Sequence, residues 1–400
     1  MNRFILINLI FINFSISYHL GNYKINFFQA HGENISSNFK SFMASKDNSE
    51  GSDSGLFISK EPDDELPEDT FGAPVGPLPS VSSKINYAEI EIDESSLVDL
   101  WIVGSGTLGT LVADEWLKRK RNLGTVIAET KTTNRHTQLK SLGAIPKLRT
   151  DRNIEKDYIC SRNVLICLPP SSAENTNEYV YELFLGCRLW AGPKYGQLLF
   201  TSSTAVYGDS NGNTVTETFR TDTRTARATK MLAAEDAILY RGGSVMRLAG
   251  LYTSTRGPHT MWIKSGAVDS NADGIVNMLH YEDAASAAVE ALVKGKSETI
   301  YLVSDDEPVT RMDICKAGIA SGLFPNSILP KFKSETGPVG KTCDSSVTKE
   351  FLKWEPKYPS FQEYMYGLGG IPYQRKKTKK EKMNTLWIPG SDEEDDIFSI

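Results

Sequence analysis

The apolar positions change rhythm several times along this chain, and each change marks an element. VDLWIV, from Val98 to Val103, is a nearly unbroken apolar run, of the length and richness of a strand buried on both faces of a parallel sheet. After Gly104, Gly106 and Gly109, apolar residues return at Leu108, Leu111, Val112, Trp116 and Leu117, a spacing that predicts a helix. GTVIAE, closing at Glu129, predicts a second strand. A third runs over Val164–Leu168 and is ended by Pro169 and Pro170, and a fourth runs over Gln197–Thr201. ATKMLAAEDAILY predicts a helix to about Leu239, and IYLVSDDEPVTRMDICKAG a strand, a turn and a helix. Strands and helices alternating in this way predict the α/β class, a doubly wound parallel sheet of about six or seven strands with helices on both faces. The region after about residue 250 is expected to form a small C-terminal substrate-type subdomain over the crevice.

This patterning does not extend to the ends. MNRFILINLIFINFSISYHL has a short basic start and an apolar run interrupted by Asn8 and Asn13, too short for the roughly 20 residues of a spanning helix but shaped like a cleavable signal. Residues 33–85 are rich in Ser, Asn, Asp, Glu and Pro and are expected to be disordered. Near the other end, the basic run QRKKTKKEK (374–382) and the acidic run SDEEDD (391–396) read as solvated tails. The expected division is a targeting presequence and leader over 1–95, one folded body over 96–370 and a charged tail over 371–400. The start is read as a signal, with an ordinary apolar N-terminus as its alternative. No membrane span is expected in the mature protein.

Composition narrows the function classes. Apolar residues make up 40% and charged residues 24%, as in an ordinary globular protein. A net charge of −6 gives no global basic field for nucleic acid. Cys160, Cys167, Cys187, Cys315 and Cys343 are dispersed without a CxxC pair, so neither a disulfide framework nor a metal site is expected.

The chemistry begins at VGSGTLG. Gly104, Gly106 and Gly109 are spaced G-x-G-x-x-G between a strand and a helix, which is the context a dinucleotide site requires. The first glycine permits the tight turn, the second admits a pyrophosphate to the backbone, and the third lets helix and strand close together. Ser105, Thr107 and Leu108 complete the turn, and the helix start presents free N–H groups to phosphate. Glu129 lies about twenty residues beyond Gly109, where an acid binds the ribose of NAD. Thr130, Lys131 and Arg135 follow and would equally suit the 2′-phosphate of NADP, so NAD or NADP is expected. Leu168, Pro169 and Pro170 would wall the cofactor at the next strand end, and Thr201 and Ser202 at the one after.

TSSTAVYGD, with Ser203 and Tyr207, is similar to the serine signature of the extended short-chain dehydrogenases/reductases, the epimerase and dehydratase branch with an NAD(P)-binding Rossmann fold. The resemblance implies that Ser203 matches the catalytic serine. It also implies that Lys230 is the lysine of a Tyr-x-x-x-Lys pair, holding the nicotinamide ribose. Four residues before Lys230, however, stands Ala226, which has no proton to give; Tyr207 is the substitute acid to consider. GSVMRLAGLYTSTRGPH resembles the strand and loop of the substrate region, with Arg247, Arg256 and His259. NMLHYEDAASAAVEAL matches a His-x-x-Asp helix start, with His280 and Asp283 packing subdomains together, and VGKTCDSSVTKEFLKWEPKYPSF resembles the closing segment. RLAGLY, RGPHT and LHYEDAASAAV resemble an atypical subgroup from bacteria and plant plastids that lacks the tyrosine.

Two hypotheses follow. One is an oxidoreductase or sugar-nucleotide enzyme without the usual tyrosine, in which Tyr207, Arg224, Arg227 or a water supplies the proton to an unidentified small-molecule substrate. The other is a non-catalytic dinucleotide-binding regulatory or assembly protein. Nucleic-acid binding through 374–382 is weaker. A plastid destination, through a secretory-type signal, is implied by the resemblance and the leader, with the secretory pathway or cytoplasm as alternatives. Oligomeric state is left open.

Overall fold

The computed structural model describes residues 15–20, 23–28, 92–120, 124–153, 156–305 and 307–373. The expectations for the leader and the charged tail therefore fall mostly outside the described residues. The chain divides into two compact units, Met1–Lys84 and Ile85–Ile400. In the first, Ser15–Leu20 pairs antiparallel with Tyr23–Phe28.

The second unit is built on one fully parallel sheet. Its strands are β1 (Val98–Val103), β2 (Val126–Thr130), β3 (Ile145–Leu148), β4 (Ser161–Ile166), β5 (Leu198–Ser203), β6 (Ser244–Leu248) and β7 (Ile300–Val303). Their spatial order is β7-β6-β5-β4-β1-β2-β3, with every neighbouring pair parallel. The order reverses between β1 and β4, and in such sheets ligands collect outside the strands' carboxyl ends at that reversal. The fold expected from the alternating pattern is the one observed.

Period-two alternation explains why both faces are covered. Leu100, Ile102, Leu165 and Leu199 enter one core, with Val112 and Trp116 of helix α1 (Thr107–Arg119). Trp101, Val103, Val164, Ile166 and Phe200 enter the other, with Tyr179 and Leu183 of the helix Thr176–Cys187 and Ile238 of Ala226–Tyr240. On the first face a second helix, α2 (Tyr281–Lys294), buries Ala284, Ala285, Ala287, Ala288 and Ala291. These small side chains let it approach α1 closely. A third core gathers Tyr252, Met278, Val309, Ile314, Phe361 and Met365, all from beyond residue 250. Among the described residues no helix is long and apolar enough to cross a membrane.

Candidate functional site

The glycine turn joins β1 to α1, and each glycine meets different surroundings. Gly104 has φ +94°, and a Cβ there would lie 2.9 Å from the Cys167 carbonyl oxygen and from Leu168 Cδ2. A Cβ on Gly109 would lie 3.0 Å from the Gly104 carbonyl oxygen and from Ile102 Cγ2. At Gly106 a Cβ would meet nothing within 4 Å among the described residues. Two glycines are thus required by the protein's own packing, whereas Gly106 opens outward. The Gly104 and Ser105 N–H groups donate to the Glu129 carbonyl at 3.2 and 2.6 Å, which pins the turn to the end of β2. Ser105 and Leu108 are buried, and the Ser105 hydroxyl has no partner among the described residues. The first N–H groups of α1 have no acceptor inside the helix, and its N-cap, Gly106, has no side chain to cap them.

Two guanidinium groups converge on this helix start. Arg135 Nη2 donates to Thr107 Oγ1 at 3.2 Å, and Arg256 Nη1, from a loop 149 residues away, donates to the same oxygen at 3.4 Å. Arg256 also lies over the Tyr281 ring, 5.6 Å from its centroid. Thr107, Thr110, Arg135, Gln138, Thr253, His280, Tyr281 and Glu282 line a cavity of about 210 Å³ here. Leu168 is buried against Gly104, Pro169 is exposed and half-buried Pro170 opens a short turn.

Glu129 departs from expectation. Its carboxylate is fully buried and faces the protein rather than the crevice. Arg152 grips it through Nη2 to Oε1 at 2.6 Å and Nε to Oε2 at 2.9 Å. Arg149 Nε stands 3.3 Å away as an ion pair, and Trp101 Nε1 donates at 3.4 Å. The carboxylate that was to bind ribose is therefore already coordinated by protein. Thr130 Oγ1 pairs with His136 Nε2 at 2.9 Å, while Lys131 is exposed.

The expected catalytic group is not assembled as such. Ser203 does stand half-buried at the carboxyl end of β5, where its Oγ accepts the Ala205 N–H at 3.2 Å and caps the turn Thr204–Tyr207. Thr201 donates to the Ile166 carbonyl at 3.3 Å, bridging β5 to β4. Ser202 is buried and donates to Glu235, so its hydroxyl faces the core instead of a cofactor. Glu235 is also gripped by Arg247, at 2.6 Å from Nη2 and 3.1 Å from Nε. Arg247 is 4% exposed, so the expected substrate-region arginine is a core ion pair. Tyr207 is 2% exposed, its ring 4.9 Å from the Arg247 guanidinium and its hydroxyl without a hydrogen bond among the described residues. Burial pushes that phenol up to about 12, with the arginine opposing the effect only in part. It is enclosed, and it cannot serve as the substitute acid in this conformation.

Lys230 is likewise engaged elsewhere. Its Nζ donates to the carbonyls of Pro170, Ala173 and Glu174 at 3.3, 3.1 and 3.2 Å, fastening the turn after β4 rather than reaching a ribose. Ala226 is exposed in the first turn of its helix, which Thr225 caps. His259 is fully buried between Phe324 and Phe361, with Nε2 3.1 Å from the Ser254 carbonyl and burial lowering its pKa. It packs the core and does not face an anion. His280 Nδ1 accepts the Glu282 N–H at 3.2 Å and caps α2. Asp283 accepts the N–H groups of Lys357 and Tyr358 at 2.8 and 3.0 Å, tying the closing segment to that helix start. Among the described residues no cluster of three His, Cys, Asp or Glu could hold a metal ion.

Comparison with known proteins places the fold in context. No protein-family model matches. The chain is 31% identical over 169 residues to Protein YeeZ of Escherichia coli (strain K12), a match covering 41% of this chain and 59% of that protein. The chain thus spans less than two thirds of the curated relative it matches. Among solved structures, dTDP-glucose 4,6-dehydratase from Bacillus anthracis, in complex with NAD, superposes with a TM-score of 0.56 at 14% identity, covering 68% of this chain and 96% of that one. UDP-glucose 4-epimerase from Thermotoga maritima, with UDP-glucose, gives 0.55 at 16%, covering 72% and 100%. A functionally unknown conserved protein from Silicibacter pomeroyi gives 0.54 at 22%, covering 68% and 98%. The structural neighbours thus include NAD-dependent epimerases and dehydratases, and at these identities the likeness is one of fold.

Proposed function

We propose that the second unit is a nicotinamide-dinucleotide-binding protein of the atypical, tyrosine-lacking kind, in which the glycine turn holds the dinucleotide and the usual tyrosine–lysine acid–base pair is not built. The observation that carries this reading is the asymmetry of the three glycines. Gly104 and Gly109 are demanded by internal contacts, but Gly106 is bordered by open space, which is where a pyrophosphate needs the backbone bare. The uncapped head of α1, with Arg135 and Arg256 on Thr107, suits the charge of that group. A bound dinucleotide would supply hydride transfer at its nicotinamide ring.

The protein's own residues are poorly placed to move a proton beside that ring. Ala226 has none, Tyr207 is enclosed beside Arg247, and Lys230 holds three carbonyls. The half-buried Ser203 at the end of β5 is the observation that favours the alternative, an oxidoreductase or epimerase-like enzyme of unusual design. Titration of the full chain with NADH and NADPH, followed by nicotinamide fluorescence, is expected to give saturable binding tighter than about 100 μM. Incubation of the loaded protein with carbonyl compounds and sugar nucleotides is expected to show no turnover above background. Binding of neither dinucleotide would overturn the reading, and turnover abolished by Ser203→Ala would replace its non-catalytic half.

A further inference from the structure

We infer that Glu129 is withheld from the dinucleotide by Arg152 and Arg149, and that the exposed Lys131 beside it selects a ligand bearing a 2′-phosphate on its adenosine ribose. This rests on the dinucleotide reading above and adds the choice between the two cofactors.

The geometry at the end of β2 withholds Glu129 from the crevice. The sequence position of Glu129 suits an acid that accepts hydrogen bonds from an unphosphorylated ribose. In the fold the carboxylate is fully buried, with Arg152, itself 4% exposed in its side chain, forming a two-pronged pair with it. Arg149 and Trp101 approach from two further directions. Turning Glu129 outward would leave the buried Arg152 guanidinium uncompensated, a larger loss than hydrogen bonds to ribose hydroxyls restore. The acid that would favour NAD, and repel a 2′-phosphate, is thereby removed from the crevice.

What the chain offers directly after β2 is positive. Lys131 follows Thr130, the last residue of β2, and is exposed with no partner among the described residues. Thr130 is occupied by His136, and Arg135 reaches forward to Thr107. Glu282, the carboxylate among the cavity's lining residues, already accepts from Lys357 Nζ and from the Tyr358 hydroxyl, both at 3.1 Å. A dianionic phosphate on the ribose meets a cation and no competing free carboxylate, whereas a bare ribose meets no acceptor from Glu129.

The test is the ratio of the NADH to the NADPH dissociation constant, measured on the full chain by fluorescence titration for the wild type, Lys131→Ala and Glu129→Gln. The wild type is expected to prefer NADPH by about tenfold or more, and Lys131→Ala to weaken NADPH about tenfold while moving NADH much less. Glu129→Gln is expected to leave the ratio within about twofold, because a group that only packs the strand end affects both ligands alike. Wild-type protein that binds NADH as tightly as NADPH, a Lys131→Ala ratio unchanged from wild type, or a selective loss of NADH in Glu129→Gln would each overturn the inference while leaving dinucleotide binding intact. Binding of neither ligand overturns both. Lys131 is on the surface, so its variant remains decisive should the buried Glu129→Gln change prevent folding.

Discussion

Gly104, Gly106 and Gly109 share one turn, yet a methyl group on each has a different consequence. At Gly104 it faces a backbone carbonyl at 2.9 Å with φ +94°, so Gly104→Ala is expected to destabilise the protein by roughly 2–4 kcal/mol. Gly106→Ala enters open space, and its melting temperature is expected to stay within about 2 °C of wild type. Thermal melts of the two variants check this contrast; equal destabilisation would show that Gly106 is also held by packing. This part of the site was legible in the sequence because turn chemistry is local. Glu129 was not. Its partners, Arg149 and Arg152, lie after an edge strand placed beside β2 by sheet register, Glu129 opposite Lys147, and no spacing rule within one segment reveals such a pairing. Arg247 and Glu235 escaped for the same reason, being joined between β6 and the helix Ala226–Tyr240.

At the scale of elements, α2 begins on an unusual cap. His280 is 4% exposed, and its Nδ1 must be unprotonated to accept the Glu282 N–H. Burial holds its pKa down to about 4, although Glu282 pulls the other way. An unfolded histidine titrates near 6.5, so between those values the unfolded chain binds more protons than the folded one. The contribution is complete above about pH 6.5 and is lost as pH falls toward 4, amounting to roughly 3 kcal/mol at most. Asparagine also caps helices, so His280→Asn is expected to flatten the fall in melting temperature over that window; an unchanged slope would assign the acid sensitivity elsewhere. His259, whose pKa burial also lowers, leaves a residual slope of the same sign. The His-x-x-Asp pattern marked the helix start, and there Asp283 ties down the closing segment through the Lys357 and Tyr358 N–H groups. The cap itself depends on how the short strand Met278–His280 enters the helix, which the pattern does not encode.

For the whole molecule, the sheet was legible wherever a strand is buried on both faces. Val98–Val103 is an apolar run because Leu100 and Ile102 meet one core and Trp101 and Val103 the other. The edge strand Ile145–Leu148 carries an exposed isoleucine and three half-buried residues, and so left no comparable signal. The same architecture brings the head of α1 and Arg135 of the loop after β2 together at one cavity, with the distant Arg256 bonded to Thr107 on its wall, and that convergence supports the proposed dinucleotide site. The most direct test is a thermal-shift series on the full chain, wild type beside Gly106→Val, with increasing NADPH and NADH. Ligand at a hundred times its dissociation constant stabilises a native state by about 2.7 kcal/mol, so the wild type is expected to melt several degrees higher with its preferred dinucleotide. Gly106→Val, its open face filled, is expected to melt near the unliganded wild type and to gain nothing. An equal gain in both proteins would place the ligand away from the glycine turn, and no gain in the wild type would contradict the account.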